Sequence, residues 1–133
     1  MKALFADTSF YVAIFNPRDE LHAQAKTIAG AHQGRVVTTE FVLLEAGNFF
    51  SRGVNRSVFK SMIESLRATE DIEIIPASAE LFGEGFDVFK SRPDKEWSLT
   101  DCTSFVILRK RGIIEALTAD HHFEQAGFSA LLK

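Results

Sequence analysis

Cysteine is nearly absent from this sequence, with only Cys102 among 133 residues. A lone thiol excludes an internal disulfide, and no other Cys or His stands at zinc-ligand spacing from it. Cys102 is therefore expected in the core, and any metal is expected on oxygen ligands. Long apolar runs are missing as well. No stretch reaches the roughly 18 residues that a membrane-spanning helix needs. The segment Ala3-Leu4-Phe5-Ala6 is interrupted by Asp7 before a signal-peptide core forms, so a cytoplasmic location is expected. Basic charge is the third deficit, with 15 Lys and Arg against 18 Asp and Glu and a net charge of −3. Affinity for phosphate backbones normally comes from excess Lys and Arg, so charge alone speaks against a nucleic-acid binder. That argument fails if the acids are gathered in a cation site, because the rest of the surface is then less acidic than the total. Arg52, Arg56, Lys60 and the run Arg109-Lys110-Arg111 then become candidates for a basic rim, with solvated helix faces as the alternative.

What is present describes a globular chain: 46% hydrophobic and 25% charged residues, at a length suited to one domain over residues 1–133. Residues 2–6 read as a short strand running into the polar Asp7-Thr8-Ser9, which can start a helix that closes by Pro17. Leu21, Ala25 and Ile28 mark a second helix ending by Gly30 to Gly34. Val36-Val37 is a second strand. Thr38 or Thr39 caps a helix whose Phe41, Leu44, Glu45, Asn48 and Phe49 share one face. Ser57 to Arg67 is amphipathic, Ile72 to Ile75 is a strand stopped at Pro76, and Ser78 caps the next helix. Ser98 and Asp101 have capping-box spacing for a helix that Gly112 ends near Arg111. Residues 115–119 form a strand before Asp120, and Gly127 to Leu132 a last extended piece. Alternating strands and helices predict a parallel sheet with helices on both faces. Ligands in such sheets bind beyond the carboxyl ends of the strands, where Asp7 and Asp120 both sit.

Four acids are candidates for a shared site. Glu45 lies four residues after Phe41 and four before Phe49, so it shares their helix stripe, where a carboxylate is costly unless it reaches water or a partner. Asp101 is favoured in the first turn of a helix by the dipole and needs no further role. Asp7 can equally be a helix cap and Asp120 a turn residue. Jointly the pattern says more. Four carboxylates about 5 Å apart repel by roughly 3 kcal/mol per pair at an effective dielectric near 20. A hard divalent cation removes that repulsion and is completed by water and phosphate oxygens. A site of this kind can turn water into a nucleophile for attack on a phosphodiester.

These segments resemble a PIN domain. The resemblance rests on Leu4-Phe5-Ala6-Asp7-Thr8-Ser9, on Thr39-Glu40 with Leu44-Glu45, on Trp97-Ser98-Leu99-Thr100-Asp101-Cys102-Thr103-Ser104-Phe105, and on Leu117-Thr118-Ala119-Asp120-His121-His122-Phe123. In order and spacing they cover nearly the whole chain. The resemblance implies a three-layer α/β/α sandwich with a central parallel β-sheet, a Mg²⁺- or Mn²⁺-dependent endoribonuclease, and a homodimer. Among small single-domain members the chain looks like the toxin half of a VapBC-type toxin–antitoxin pair, which implies an antitoxin partner and an RNA substrate. It also implies Asp7 and Asp101 as direct metal ligands and Glu45 and Asp120 as completing the cluster. Ser9, or Thr8, matches the hydroxyl beside the first acid that orients a water or phosphate, although it can also serve as a helix cap. Where some relatives carry a further acid, this chain has His121 and His122, expected as loop histidines without a special task. Trp97 is expected to pack against the following helix rather than to stack on a base.

Three other readings compete. A receiver-like signalling module needs paired acids after the first strand and a lysine near the last, and no lysine lies between Lys110 and Lys133. A phosphatase with Asp-x-Asp is excluded by Ser9 in the second acid's place. A non-catalytic PIN-like binding protein keeps the fold and lacks activity. The function expected from the sequence is hydrolysis of RNA phosphodiesters by a metal-activated water.

Overall fold

The computed structural model describes residues 2–133. The chain order is β1 (Leu4–Ala6), α1 (Thr8–Phe15), α2 (His22–Ala31), β2 (Val36–Thr39), α3 (Glu40–Phe49) and α4 (Asn55–Ala68). There follow β3 (Ile72–Ile75), α5 (Ala79–Ser91), α6 (Leu99–Arg111), β4 (Glu115–Leu117), α7 (His121–Gln125) and β5 (Ser129–Ala130). The five strands form one all-parallel sheet in the order β3-β2-β1-β4-β5. Its central strand, β1, is apolar throughout and buried on both faces, as expected for a parallel sheet sandwiched between helices. The expected three-layer α/β/α sandwich is what forms. On one side α1, the end of α2 and α4 meet over Val36, Ile72 and Leu117. Elsewhere Phe105 of α6 makes edge contacts with Trp97 and with Phe123 of α7, each 5.0 Å between centroids, and stacks on Phe128.

The chain winds from β1 outward to β3 and then returns to lay β4 on the other side of β1. Between β1 and β4 the winding direction therefore reverses, and a crevice opens there at the carboxyl ends of the strands. Polar side chains fix where helices begin around it. Thr39 accepts a hydrogen bond from the Val42 N–H (3.1 Å) and Ser78 from the Leu81 N–H (3.0 Å). Ser98 and Asp101 form the full reciprocal capping box, and Gly112 ends α6 in the left-handed region at φ 64°.

Three expectations change. The helix read as Ser57 to Arg67 extends over Asn55–Ala68. The strand read as 115–119 stops at Leu117, because the Thr118 N–H turns back to the Ala116 carbonyl and the chain leaves the sheet. The buried face of α3 is Val42, Leu43 and Ala46, with Phe50 following, whereas Leu44 and Phe49 are 66% and 52% exposed. Apolar residues occupy so many positions of α3 that periodicity alone does not orient it. Close packing does: a Cβ at Gly47 would lie 3.0 Å from the Phe59 ring. Glu45 therefore flanks the buried stripe instead of lying in it.

Two glycines of α5 test this packing. A methyl at Gly85 would meet Thr103 Cγ2 at 2.5 Å and the Thr103 backbone nitrogen at 3.1 Å, and Thr103 is itself buried in α6. At Gly83 nothing lies within 4 Å. Gly85→Ala should lower stability by about 1–3 kcal/mol through overpacking. Gly83→Ala should raise it by up to about 1 kcal/mol through helix propensity. Urea unfolding midpoints decide the matter, and a stabilising Gly85→Ala would refute the α5–α6 contact.

Candidate metal centre

Asp7 is the first residue beyond β1, and its N–H continues the ladder to the Leu117 carbonyl of β4 at 3.2 Å. It occupies the cap position of α1, yet its side chain caps no helix N–H. The carboxylate is 4% exposed and instead receives side-chain donors. Thr118 Oγ1 donates to Asp7 Oδ2 at 2.8 Å and Ser9 Oγ donates to the same oxygen at 3.3 Å. Asp7 Oδ1 is buried without a partner. Burial foremost, and then the charge of Asp101, push the Asp7 carboxyl from 3.8 up to about 7.

Ser9 lies within α1, one residue past its start, so the helix-cap reading does not hold. Its hydroxyl accepts from the Ala119 N–H (3.1 Å) and sits 3.2 Å from Thr118 Oγ1. Asp101, in the first turn of α6, is both a cap and a member of the cluster. Its Oδ2 accepts from the Ser98 N–H at 3.2 Å and lies 3.3 Å from His122 Nδ1. Burial, followed by the charge of Asp120, raises its carboxyl above the ordinary range. Asp120 caps α7, its Oδ1 accepting from the His122 N–H (2.9 Å) and lying 3.2 Å from His122 Nδ1. Turn residue and cluster member are again one and the same. Glu45 comes in from the middle of α3, and its charge acts on both Asp7 and Asp101.

All four acids and Ser9 line one open cleft of about 430 Å³ at the β1–β4 crevice. Asp19, Glu96 and His122 line it too, and no Lys or Arg does among the described residues. Each of three acids has one oxygen held by protein donors and another without a hydrogen bond among them: Asp7 Oδ1, Asp101 Oδ1 and Asp120 Oδ2. An all-oxygen set with a buried, unpaired carboxylate oxygen fits a hard divalent cation.

Sequence reasoning missed four participants. Thr118, within the Leu117–Phe123 motif, is the hydroxyl that links Asp7, Ser9 and the Asp120 N–H. His122 is no idle loop residue, since its ring sits between two of the acids; ligand atoms of Asp120, His121 and His122 all lie within 4.8 Å of one another. Asp19 and Glu96 carried no signal beyond their charge. Of the two readings of the Arg109-Lys110-Arg111 run, the solvated helix face is the one that forms. The run ends the helix whose first turn carries Asp101, about 15 Å farther along at 1.5 Å per residue. There Lys110 bonds Glu84 (2.7 Å) and Arg111 bonds Glu73 through both oxygens. Trp97 packs as expected, 4% exposed, with Nε1 donating to Gln125.

The sequence profile of the PIN domain family matches residues 4–129, and the chain belongs to that family. The 23S rRNA-specific endonuclease VapC20 of Mycobacterium tuberculosis, from strains CDC 1551 / Oshkosh and ATCC 25618 / H37Rv, is 29% identical over 125 residues. The alignment spans 94% of this chain and 95% of that protein. The crystal structure of M. tuberculosis VapC20, titled a Sarcin-Ricin loop cleaving toxin, superposes with a TM-score of 0.86, covering 94% of this chain and 95% of the other.

The raised Asp7 carboxyl carries a pH signature for metal-free protein. The folded state favours protonated Asp7, so its stabilising contribution is complete below 3.8 and is lost as pH rises through about 7. At pH 8, Asp7→Asn should melt above the parent chain by roughly 4 °C or more, about the effect of one kcal/mol in a small domain. At pH 5 the gap should have narrowed, and it should close below about 3.8. Calorimetric melting in chelator tests this, and an Asn variant less stable than the parent at pH 8 would contradict it.

Proposed function

We propose that this chain, as one PIN-like domain over residues 1–133, is a Mg²⁺- or Mn²⁺-dependent endoribonuclease that hydrolyses RNA phosphodiester bonds. The observation that carries the reading is the convergence of Asp7, Glu45, Asp101 and Asp120 on one cleft lined by no Lys or Arg among the described residues. RNA cannot approach such a cleft unless a cation offsets the carboxylates, since like charges at these distances repel by several kcal/mol. Asp7 and Asp101 would hold the ion directly, with Glu45 and Asp120 completing the cluster. When bound, the ion supplies acidification of a water and countercharge for the phosphodiester.

The chain's own residues do the positioning. Thr118 and Ser9 fix Asp7 Oδ2 and thereby aim the unpaired Oδ1. Ser9, at the lip of the cleft, orients a water or phosphate oxygen. The likeness to VapC20 supports the toxin role in a toxin–antitoxin pair and makes structured ribosomal RNA loops the first substrate to try. An antitoxin protein and a second copy of this chain are proposed partners. The exposed Phe82, Phe86 and Phe89 of α5 and Leu44 and Phe49 of α3 supply apolar surface for them. No helix is long and apolar enough to cross a membrane among the described residues, and the proposed RNA chemistry belongs in the cytoplasm.

Purified protein should cleave labelled structured RNA in Mn²⁺ or Mg²⁺ and not in EDTA. Asp7→Asn and Asp101→Asn should each lower the rate at least about 100-fold, as expected when a ligand for the catalytic ion is lost. Absence of cleavage over a broad RNA set, with no Mn²⁺ uptake by calorimetry, would replace the nuclease with a non-catalytic binding protein of the same fold.

A further inference from the structure

We infer that His122 is a positioning residue which clasps Asp101 and Asp120 through its ring Nδ1 and holds their free oxygens toward the cation. The inference rests on the metal reading proposed above. Nδ1 lies 3.3 Å from Asp101 Oδ2 and 3.2 Å from Asp120 Oδ1. The two acids come from separate elements, the first turn of α6 and the cap of α7. No hydrogen bond joins the two carboxylates directly among the described residues, so the imidazole is their direct link.

Both nearby atoms are carboxylate oxygens, which accept hydrogen bonds, so Nδ1 carries the proton and donates it to Asp101 Oδ2, while Asp120 Oδ1 lies beside it at 3.2 Å and takes its hydrogen bond from the His122 backbone N–H. A nitrogen bearing that hydrogen has no lone pair for a metal. The Nδ1 edge therefore acts behind the carboxylates, in the manner of outer groups that orient metal-binding side chains, and whether the lone pair on Nε2 also reaches the ion is decided by the asparagine variant below. Its own position is held from two directions. The His122 N–H donates to Asp120 Oδ1 and the next residue, Phe123, is fully buried against Phe105. The ring is mostly buried, at 19% side-chain exposure, while neighbouring His121 is 60% exposed. Removing the imidazole would leave Asp101 and Asp120, whose charges oppose each other, held only by their backbone donors, the Ser98 and His122 N–H groups.

Asparagine separates the two roles, because its amide nitrogen stands at the same number of bonds from the backbone as histidine Nδ1 and donates without needing a proton shift. Metal-stripped parent chain, His122→Ala and His122→Asn would be titrated with Mn²⁺ by calorimetry and melted without metal to verify folding. His122→Ala should bind Mn²⁺ about 10–100-fold more weakly, the usual effect of losing an outer group of a metal site. His122→Asn should recover most of that loss. In cleavage, the Ala variant should regain part of its rate at high Mn²⁺ while KM for RNA changes little. If the parent chain binds Mn²⁺ and His122→Ala binds it equally well, this inference falls and the metal reading stands. If Asn is as weak as Ala, His122 is itself a ligand and the clasp is wrong. A parent chain that takes up no Mn²⁺ overturns both.

Discussion

A carboxylate sealed in at the end of the central strand is the constraint around which this domain is built. Asp7 leaves β1 at the point where the sheet reverses its winding direction, 4% exposed and with a second acid in range. It can be held there because β4 runs beside β1 in a set register, Phe5 opposite Ala116 and Ala6 opposite Leu117. That register brings Thr118 level with Asp7, and the hydroxyl reaches its carboxylate at 2.8 Å. A slip of one residue would turn Thr118 to the other face and leave Asp7 Oδ2 with only the longer bond from Ser9, because side chains alternate along a strand.

The same logic extends to the other acids, whose supports are apolar. Asp101 and Asp120 begin α6 and α7, and one turn inward each helix carries an aromatic ring: Phe105 on α6 and Phe123 on α7. Those rings meet edge to face at 5.0 Å, and Trp97 meets Phe105 in the same way at the same distance. The aromatic stack thus fixes the separation of two helix starts, and the helix starts fix two carboxylates. Burial of such rings stabilises a domain by a few kcal/mol each, enough to offset the repulsion it enforces. This arrangement also explains why α6 is among the most buried elements while carrying a charged residue in its first turn.

How much of this was legible in the sequence depends on the reach of each interaction. The strands, the parallel sheet and the caps Thr39, Ser78 and Ser98 could be read because the relevant partners lie within a few residues. Asp7, Asp101 and Asp120 could be found because each stands where an apolar strand ends or a helix begins, and Glu45 because it stands among the apolar residues of one helix. The face of α3 could not, since Phe41 through Phe50 offers apolar side chains in nearly every direction and Phe59 makes the choice. Thr118 and His122 were opaque for the same reason. Their partners lie 111 and 21 positions away, and a threonine after a strand or a histidine in a turn has nothing local to mark it. Of the two readings of the Arg109-Lys110-Arg111 run, the structure gives the solvated helix face, and the reason was legible in the sequence. A helix whose capping box lies at the site must put its last turn away from it.

Net charge misleads in a related way, because it averages over a surface that is divided. Six of the eighteen acids line the cleft, which leaves Lys and Arg in excess over acids on the rest of the chain. On the nuclease reading the two regions do opposite work. The remainder of the surface tolerates a polyanion, whereas the cleft repels it until a cation is in place, and the local field at a cleft of low dielectric outweighs the mean charge of the molecule. Binding of RNA in the cleft and occupancy by the metal are then coupled by electrostatics alone, with no moving part required. On that reading the free oxygens of Asp7, Asp101 and Asp120 would both keep phosphate out of the cleft in the absence of the ion and make the site for it.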